Sequence, residues 1–410
     1  MSEDKKRDRK SDEAKRRFGR FWFISAIVAI TCCLVWKIIV WNCRSPDEQL
    51  AAIEASLAIP DSENTGVAYT KLASEYLPLP EYPSVADKQT LILTREQPWH
   101  RNDYPKLAAW LDERQDLISK LLEISRIEKC RLPIPSDKYK MSYFTNPVRQ
   151  MHGWTYLLIQ SGNMDAGEDR IDTAIEKYTC VLQIGSHLRQ QPVVYYYELG
   201  VATELLGLIG MEEFITQNEL TEMQLTAIEM ALLPAENKWK QHSRTMVKIH
   251  RIFERRRLES RRRPRITDWR RYWEYWKETS KSDDPPLLHE THRYHLFTLT
   301  NRRRMYIMVA LRRYKNERSH WPQTLDSIKP LVAEEVLTDP HNNSPFVYKL
   351  TDDGFILYSK GKNNIDEAGR SKDGADDWPI WPSRSKISQS KKKDTDSKQS
   401  DTDTEKKVIE

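Results

Sequence analysis

Residues 21–41 read FWFISAIVAITCCLVWKIIVW, an apolar stretch of about 21 residues whose single charge is Lys37. No other feature narrows the fold as sharply. About 20 apolar residues rising 1.5 Å each cross a 30 Å hydrocarbon layer, so the sequence predicts one transmembrane helix followed by a polar remainder. Lys5, Lys6, Arg7, Arg9, Lys10, Lys15, Arg16, Arg17 and Arg20 precede the stretch, whereas Arg44, Asp47 and Glu48 follow it. That asymmetry predicts a single-pass protein of the inner (cytoplasmic) membrane, with a cytoplasmic N-terminus and a periplasmic or otherwise extracytoplasmic C-terminal part. A cleaved signal peptide is the rival reading. Against it, the run is long for a signal core, and the exit VWNCRSP offers no small-x-small cleavage site.

The remaining chain is long enough for two or three domains. Only 13 of 410 residues are glycine, below the usual share of about 7%. This disfavours glycine-rich phosphate loops and turn-dense all-β folds, and it makes helix the default. Of five cysteines, Cys32 and Cys33 fall in the apolar stretch and Cys43 just beyond it. Cys130 and Cys180 lie in the polar part, where an oxidising compartment would allow them to pair; their separation in space is not fixed by sequence.

The expected fold class is mostly α, with a small α+β module at the C-terminal end. Its parts are a basic tail (1–20), the transmembrane helix (21–41), a helical ectodomain (46–290), the α+β module (291–382) and a disordered Lys/Ser/Asp/Thr tail (383–410). Helical periodicity runs through 46–77, 104–127, 145–161, 165–190, 192–217 and 220–232, and prolines mark 79–100 as a loop. In the helical part, Ala174, Tyr178, Leu182 and Gly185 share one helix face, and Tyr195, Leu199, Ala202, Leu205 and Leu206 share a face of the next. This pair resembles tetratricopeptide-type helical hairpins, with an ordinary antiparallel bundle as the equal alternative.

In the module, a helix through Met305, Ile307, Val309 and Leu311 is followed by Trp321-Pro322. Next come Asp339-Pro340 and two strand signals, PFVYKL and GFILYS, around a DDG turn; WPIWP closes an acidic loop from Gly361 onward. Tyr314, Trp321, Pro322, Leu325, Asp339, Pro340, Phe346, Tyr348, Asp353, Gly354, Tyr358, Ser359, Gly361, Asp376 and Asp377 stand in an order that resembles the globular domain of type II secretion major pseudopilins. The resemblance covers about 85 residues. It implies a compact helix-plus-hairpin module and a calcium ion in the acidic loop, where Asn364, Asp366, Asp373, Asp376 and Asp377 are the candidate ligands; a solvated turn without metal is the alternative. Assembly into a fibre is not implied. About 250 residues separate the apolar stretch from the module, and no prepilin cleavage signature is present.

Catalytic motifs are absent from the sequence: there is no G-x-S-x-G, Walker, H-E-x-x-H or dinucleotide-binding pattern. The arginine-rich run 244–276 interleaves Trp269, Trp273 and Trp276 with Glu254, Glu259, Asp268 and Glu274, which favours a solvated face or a protein contact, then an anionic surface of lipid headgroups or polysaccharide, over nucleic acid. His289, His292 and His295 recur every third residue without a partnering Cys or carboxylate. The chain therefore reads as a membrane-anchored envelope scaffold or protein-binding component with protein partners. Two alternatives stand beside this: an envelope hydrolase whose site a single sequence does not expose, and an accessory factor of a type II secretion or pseudopilus-like system.

Overall fold

The computed structural model describes residues 31–32, 45–76, 88–135, 146–217, 219–232, 239–260, 285–352, 354–371 and 374–382. It is mostly helical with one small sheet, and the expected fold class needs correction in one respect. Among the described residues, no helix is long and apolar enough to cross a membrane. Of the expected span, only Thr31 and Cys32 are described, and the rest of 21–41 lies outside the described residues. The longest helices that are described bury charge along their length, Glu204 and Glu212 on one and Arg302, Arg304 and Arg312 on another, which suits packing in a protein core and not a hydrocarbon layer.

The chain divides into two units. One comprises residues 1–58 and 251–280 and contains α1 (Pro46–Leu57). Ser45 and Glu48 form a capping box at its start: each side chain accepts the other residue's backbone N–H, at 3.2 and 2.9 Å. Asp47 in the first turn pairs with Arg256 at 2.6 Å.

The other unit comprises residues 59–250 and 281–410. It contains α2 (Thr65–Glu75), α3 (Lys88–Glu96), α4 (Pro105–Asp112), α5 (Gln115–Ser125), α6 (Asn146–Gly167), α7 (Ile171–Arg189), α8 (Val194–Gln217), α9 (Glu222–Ala231), the first half of α10 (Trp239–Ser260) and α11 (Pro285–Arg318). Two short 3-10 turns, Leu325–Leu331 and Glu334–Leu337, lead into β1 (Val347–Thr351), β2 (Gly354–Ser359) and β3 (Trp378–Trp381). The segment 79–100, expected as loop, holds α3. The close of the acidic loop, also expected as loop, holds β3, which pairs antiparallel with β2 at the sheet edge and so accommodates Pro379.

Helices α6, α7 and α8 pack side by side because glycines let their backbones approach. A Cβ on Gly185 of α7 would stand 2.9 Å from the carbonyl oxygen of Gly200 on α8, and one on Gly200 would stand 2.6 Å from the Gly185 carbonyl. Contact therefore runs along the Gly200–Gly207 stripe of α8, with Tyr178 filling the space beside Gly162 and Gly210. The α7 residues expected on one face, Ala174, Tyr178, Leu182 and Gly185, are buried. The α8 set is not: Ala202 is exposed, and Tyr195, Leu199, Leu205 and Leu206 are only half-buried. A single core then joins α7, α8, α9 and α11 to the sheet through Leu182, Leu208, Phe214, Met305, Leu311, Phe355 and Leu357. The α+β module is thus built onto the helices.

Arginines on α11 fasten it to its neighbours. Arg312 donates to the carbonyls of Ile215 and Thr216, at 2.7 and 2.5 Å, satisfying acceptors that the end of α8 leaves open. Arg304 pairs with Glu212 at 2.7 Å, and Arg313 bridges Glu222 and Glu229 of α9.

Cys130 and Cys180 are both free thiols and both buried. Burial pushes their thiols up to about 11 and about 12, so neither forms thiolate near neutral pH. Native protein at pH 8 is expected to leave both unmodified by a thiol reagent over minutes, and denatured protein to react at both. Mass spectrometry of the peptides carrying them reads the outcome.

Candidate functional site

A cavity of about 500 Å³ opens where α8 and α11 meet the module. Two helical stripes form its walls. From α8 come Glu198, Val201, Ala202 and Leu205, and from α11 come Arg293, Tyr294, Phe297, Thr300 and Asn301; spacings of three and four residues place each set on one face of its helix. The module adds Trp378 from β3, whose ring meets Phe297 edge-on at 4.8 Å. The α8 stripe is free to do this because that helix turns its glycines toward α7.

The separation of the two walls is set beside the cavity by a buried charge triad. Glu204 on α8 receives the Arg302 Nε at 2.5 Å, and the Arg189 Nε of α7 approaches its other oxygen at 2.8 Å. Burial alone would raise the Glu204 carboxyl, but the two guanidinium groups hold it below its ordinary range. Arg302 adjoins Asn301, and Glu204 adjoins Leu205, so the residues that pin the helices are chain neighbours of those lining the cleft.

One rim is charged. Half-buried Glu198 has its carboxyl raised by desolvation and by Glu290, against the opposing pull of Arg293. The other rim belongs to the module. Thr300 Oγ1 and His341 Nδ1 lie 2.9 Å apart. Asp339, fully buried, receives the backbone N–H of His341 at 2.9 Å and the Ser359 hydroxyl, and His341 Nδ1 lies 3.4 Å from its Oδ1. Burial would raise Asp339, but the hydrogen bonds from His341 and Ser359 outweigh it and hold the carboxyl low. This is a Ser, a His and an Asp in contact, but in the wrong order for acyl transfer. The carboxylate lies between hydroxyl and imidazole, so the imidazole cannot take the serine proton. The group instead fixes the 339–344 turn against β2, with Asn342 donating to the Gly361 carbonyl at 2.6 Å.

The acidic loop is placed beside this rim, and backbone amides occupy its carboxylates. Asp376 Oδ2 accepts from the N–H groups of Lys362 and Asn363, and Asp377 Oδ2 from those of Glu367 and Gly369. Asp366 accepts from the Tyr358 hydroxyl and from Ala368 N–H, which lower its carboxyl. Asn364 accepts from Ser344, and Asp373 lies outside the described residues. Desolvation, with Glu367 and Asp366 nearby, raises the Asp377 carboxyl. These hydrogen bonds knit the loop together, while Asp377 Oδ1 is buried without a hydrogen-bond partner. Among the described residues, no group of three or more His, Cys, Asp or Glu is placed to hold a metal ion.

Sequence reasoning passed over Glu198, Thr300, Asn301 and His341 as lining residues. The legible signal was Asn301, a carboxamide on the same stripe of α11 as the apolar residues Phe297 and Met308. His292 and His295 join an aromatic group: His295 stacks on Trp239 at 4.5 Å, and Trp239 in turn meets Tyr197 at 5.6 Å. Trp269, Trp273 and Trp276 of the arginine-rich run lie outside the described residues. No protein-family model matches the chain, and no curated protein or solved structure matches it.

Proposed function

We propose that this protein is a non-catalytic binding protein, a scaffold component that takes an apolar segment of a protein partner into the cleft between α8, α11 and β3. The observation that carries this is the composition of the cleft. Val201, Ala202, Leu205, Tyr294, Phe297 and Trp378 offer aliphatic and aromatic walls, and polar groups contribute only a small part of the lining surface. A concave, mainly apolar site with few polar fixtures is a binding architecture, and aromatic residues are enriched where proteins hold one another. The site holds a hydroxyl–imidazole pair, Thr300 with His341 at 2.9 Å, while Ser359 donates to a carboxylate; the apolar lining favours binding over hydrolysis.

Ala202 is exposed on the cleft wall, so Ala202→Trp fills the cavity from a position where the fold tolerates substitution, within about 0.5 kcal/mol. Peptide-display selection on the folded full chain is expected to enrich sequences with bulky apolar residues, and their binding is expected to fall at least tenfold on the A202W protein at an unchanged melting temperature. Enriched peptides that bind both proteins equally, or no enrichment at all, would remove the reading.

A further inference from the structure

An apolar cleft that carries a carboxylate without a counter-charge makes a demand on its guest. Glu198 lines the cavity near the start of α8 and is only half-buried, so its carboxylate stays accessible. Among the described residues, no hydrogen bond reaches that carboxylate and no cationic nitrogen stands within 4 Å of it; it feels burial and the charges of Glu290 and Arg293 alone, and burial with Glu290 outweighs Arg293. Arg293 is turned elsewhere: its guanidinium lies 3.7 Å from Glu290 and 5.5 Å from the centre of the Tyr294 ring.

Resting on the binding reading above, we propose that the partner segment carries a cationic side chain, a lysine or arginine, beside its apolar anchor, and that Glu198 is the residue that selects it. The anchor lies against Val201, Phe297 and Trp378, and the cation meets the carboxylate. A neutral guest would strip water from Glu198 and return nothing, and an anionic guest would be repelled. The other charges of the lining have less to gain. Arg293 has 52% of its side chain exposed and already faces Glu290, and Lys362 is exposed. His341 lies against Thr300 and Asp339, and Asp376 accepts from the amides of Lys362 and Asn363. A pair formed where water is partly excluded is stronger than one in the open, and complementary charge of this kind sets which partner binds more than how tightly.

The test is calorimetric titration of the full chain with 4-phenylbutylamine, 4-phenylbutanol and 4-phenylbutyrate, which share one apolar body and differ in end charge. On the wild-type protein, the amine is expected to bind at least fivefold tighter than the alcohol, with the carboxylate weakest. Glu198→Gln is expected to bring amine and alcohol level, at an unchanged or higher melting temperature, because no partner is lost with the carboxylate. Equal affinity of amine and alcohol for wild-type protein overturns the proposal whether or not the variant folds, and so does tightest binding of the carboxylate. An amine preference that survives in folded E198Q overturns it too, since another group then reads the cation. If none of the three binds while displayed peptides still bind in an Ala202-sensitive way, the charge assignment fails and the binding cleft stands; if the peptides fail as well, both fall.

Discussion

Glu204→Gln is expected to destabilise the protein by about 3–5 kcal/mol, the usual cost of removing one partner from a buried charge cluster. The glutamine keeps the shape but leaves Arg189 and Arg302 facing each other without an anion between α7, α8 and α11. Solvent does not relieve them, since Glu204 and Arg302 are 2% and 9% exposed. Replacing the whole cluster (Arg189→Met, Glu204→Leu, Arg302→Met) is expected to cost little, or to stabilise, because burying the ions is itself expensive. Denaturant unfolding of both variants separates the cases. A single substitution costing under 1 kcal/mol would show that the triad is solvated or dispensable. The consequence reaches the site, because the triad holds apart the two helices that wall the cleft, and ligand binding in any folded E204Q protein is expected to weaken along with stability.

Acid is expected to have an effect of comparable size. His187 is held by Tyr69 and by Ile127: its Nε2 lies 2.8 Å from the Ile127 carbonyl, which requires a proton there and leaves Nδ1 to accept from the Tyr69 hydroxyl at 3.0 Å. Desolvation lowers the imidazole from 6.5 to about 4, against the smaller opposing effect of the carbonyls of Ile127 and Glu128. His242 is also lowered to about 4, by desolvation and then by Arg131 and Arg189. The sign follows from which state binds protons first. Between about 6.5 and 4 the unfolded chain takes up protons that the native state refuses, so stability is complete above about pH 6.5, falls as pH drops toward 4, and carries the full loss below that. Each imidazole accounts for about 3 kcal/mol at the acid end. Urea unfolding at pH 7, 6 and 5 is expected to show the decline, and His187→Gln and His242→Gln are each expected to shallow it. A flat profile across that interval would mean that both imidazoles already protonate in the folded protein.

Legibility in the sequence tracked how many physical demands each element had to meet. The module hairpin was readable because two short segments rich in aromatic and β-branched residues, PFVYKL and GFILYS, flank a DDG turn, and the observed register pairs Tyr348 with Leu357 and Leu350 with Phe355. Met305, Ile307, Val309 and Leu311 of α11 all lie in the core as their pattern indicated. The faces of α8 were not readable. That helix is apolar on more than one side, and only the glycines, at Gly200 and Gly207, reveal which side meets α7. The residues set aside as its packing face, Ala202 and Leu205, are the wall of the cleft. Arginine is usually exposed, and the buried partners of Arg302 and Arg304 lie about 100 residues earlier in the chain, so these pairs could not be drawn from sequence. The acidic loop showed its carboxylates in the sequence but not their partners, since the amides of Lys362, Asn363, Glu367 and Gly369 that donate to Asp376 and Asp377 carry no side-chain signal.

In the binding function proposed above, a single cleft built jointly by helices and sheet holds one apolar guest. Its most direct test is fluorescence titration of the full chain with N-phenyl-1-naphthylamine, a neutral apolar probe, on wild-type and A202W proteins of matched melting temperature. One saturable site on the wild type that weakens at least tenfold in A202W is the predicted result. Unsaturable binding, or a site unchanged by the tryptophan, would place the apolar binding elsewhere and contradict the account.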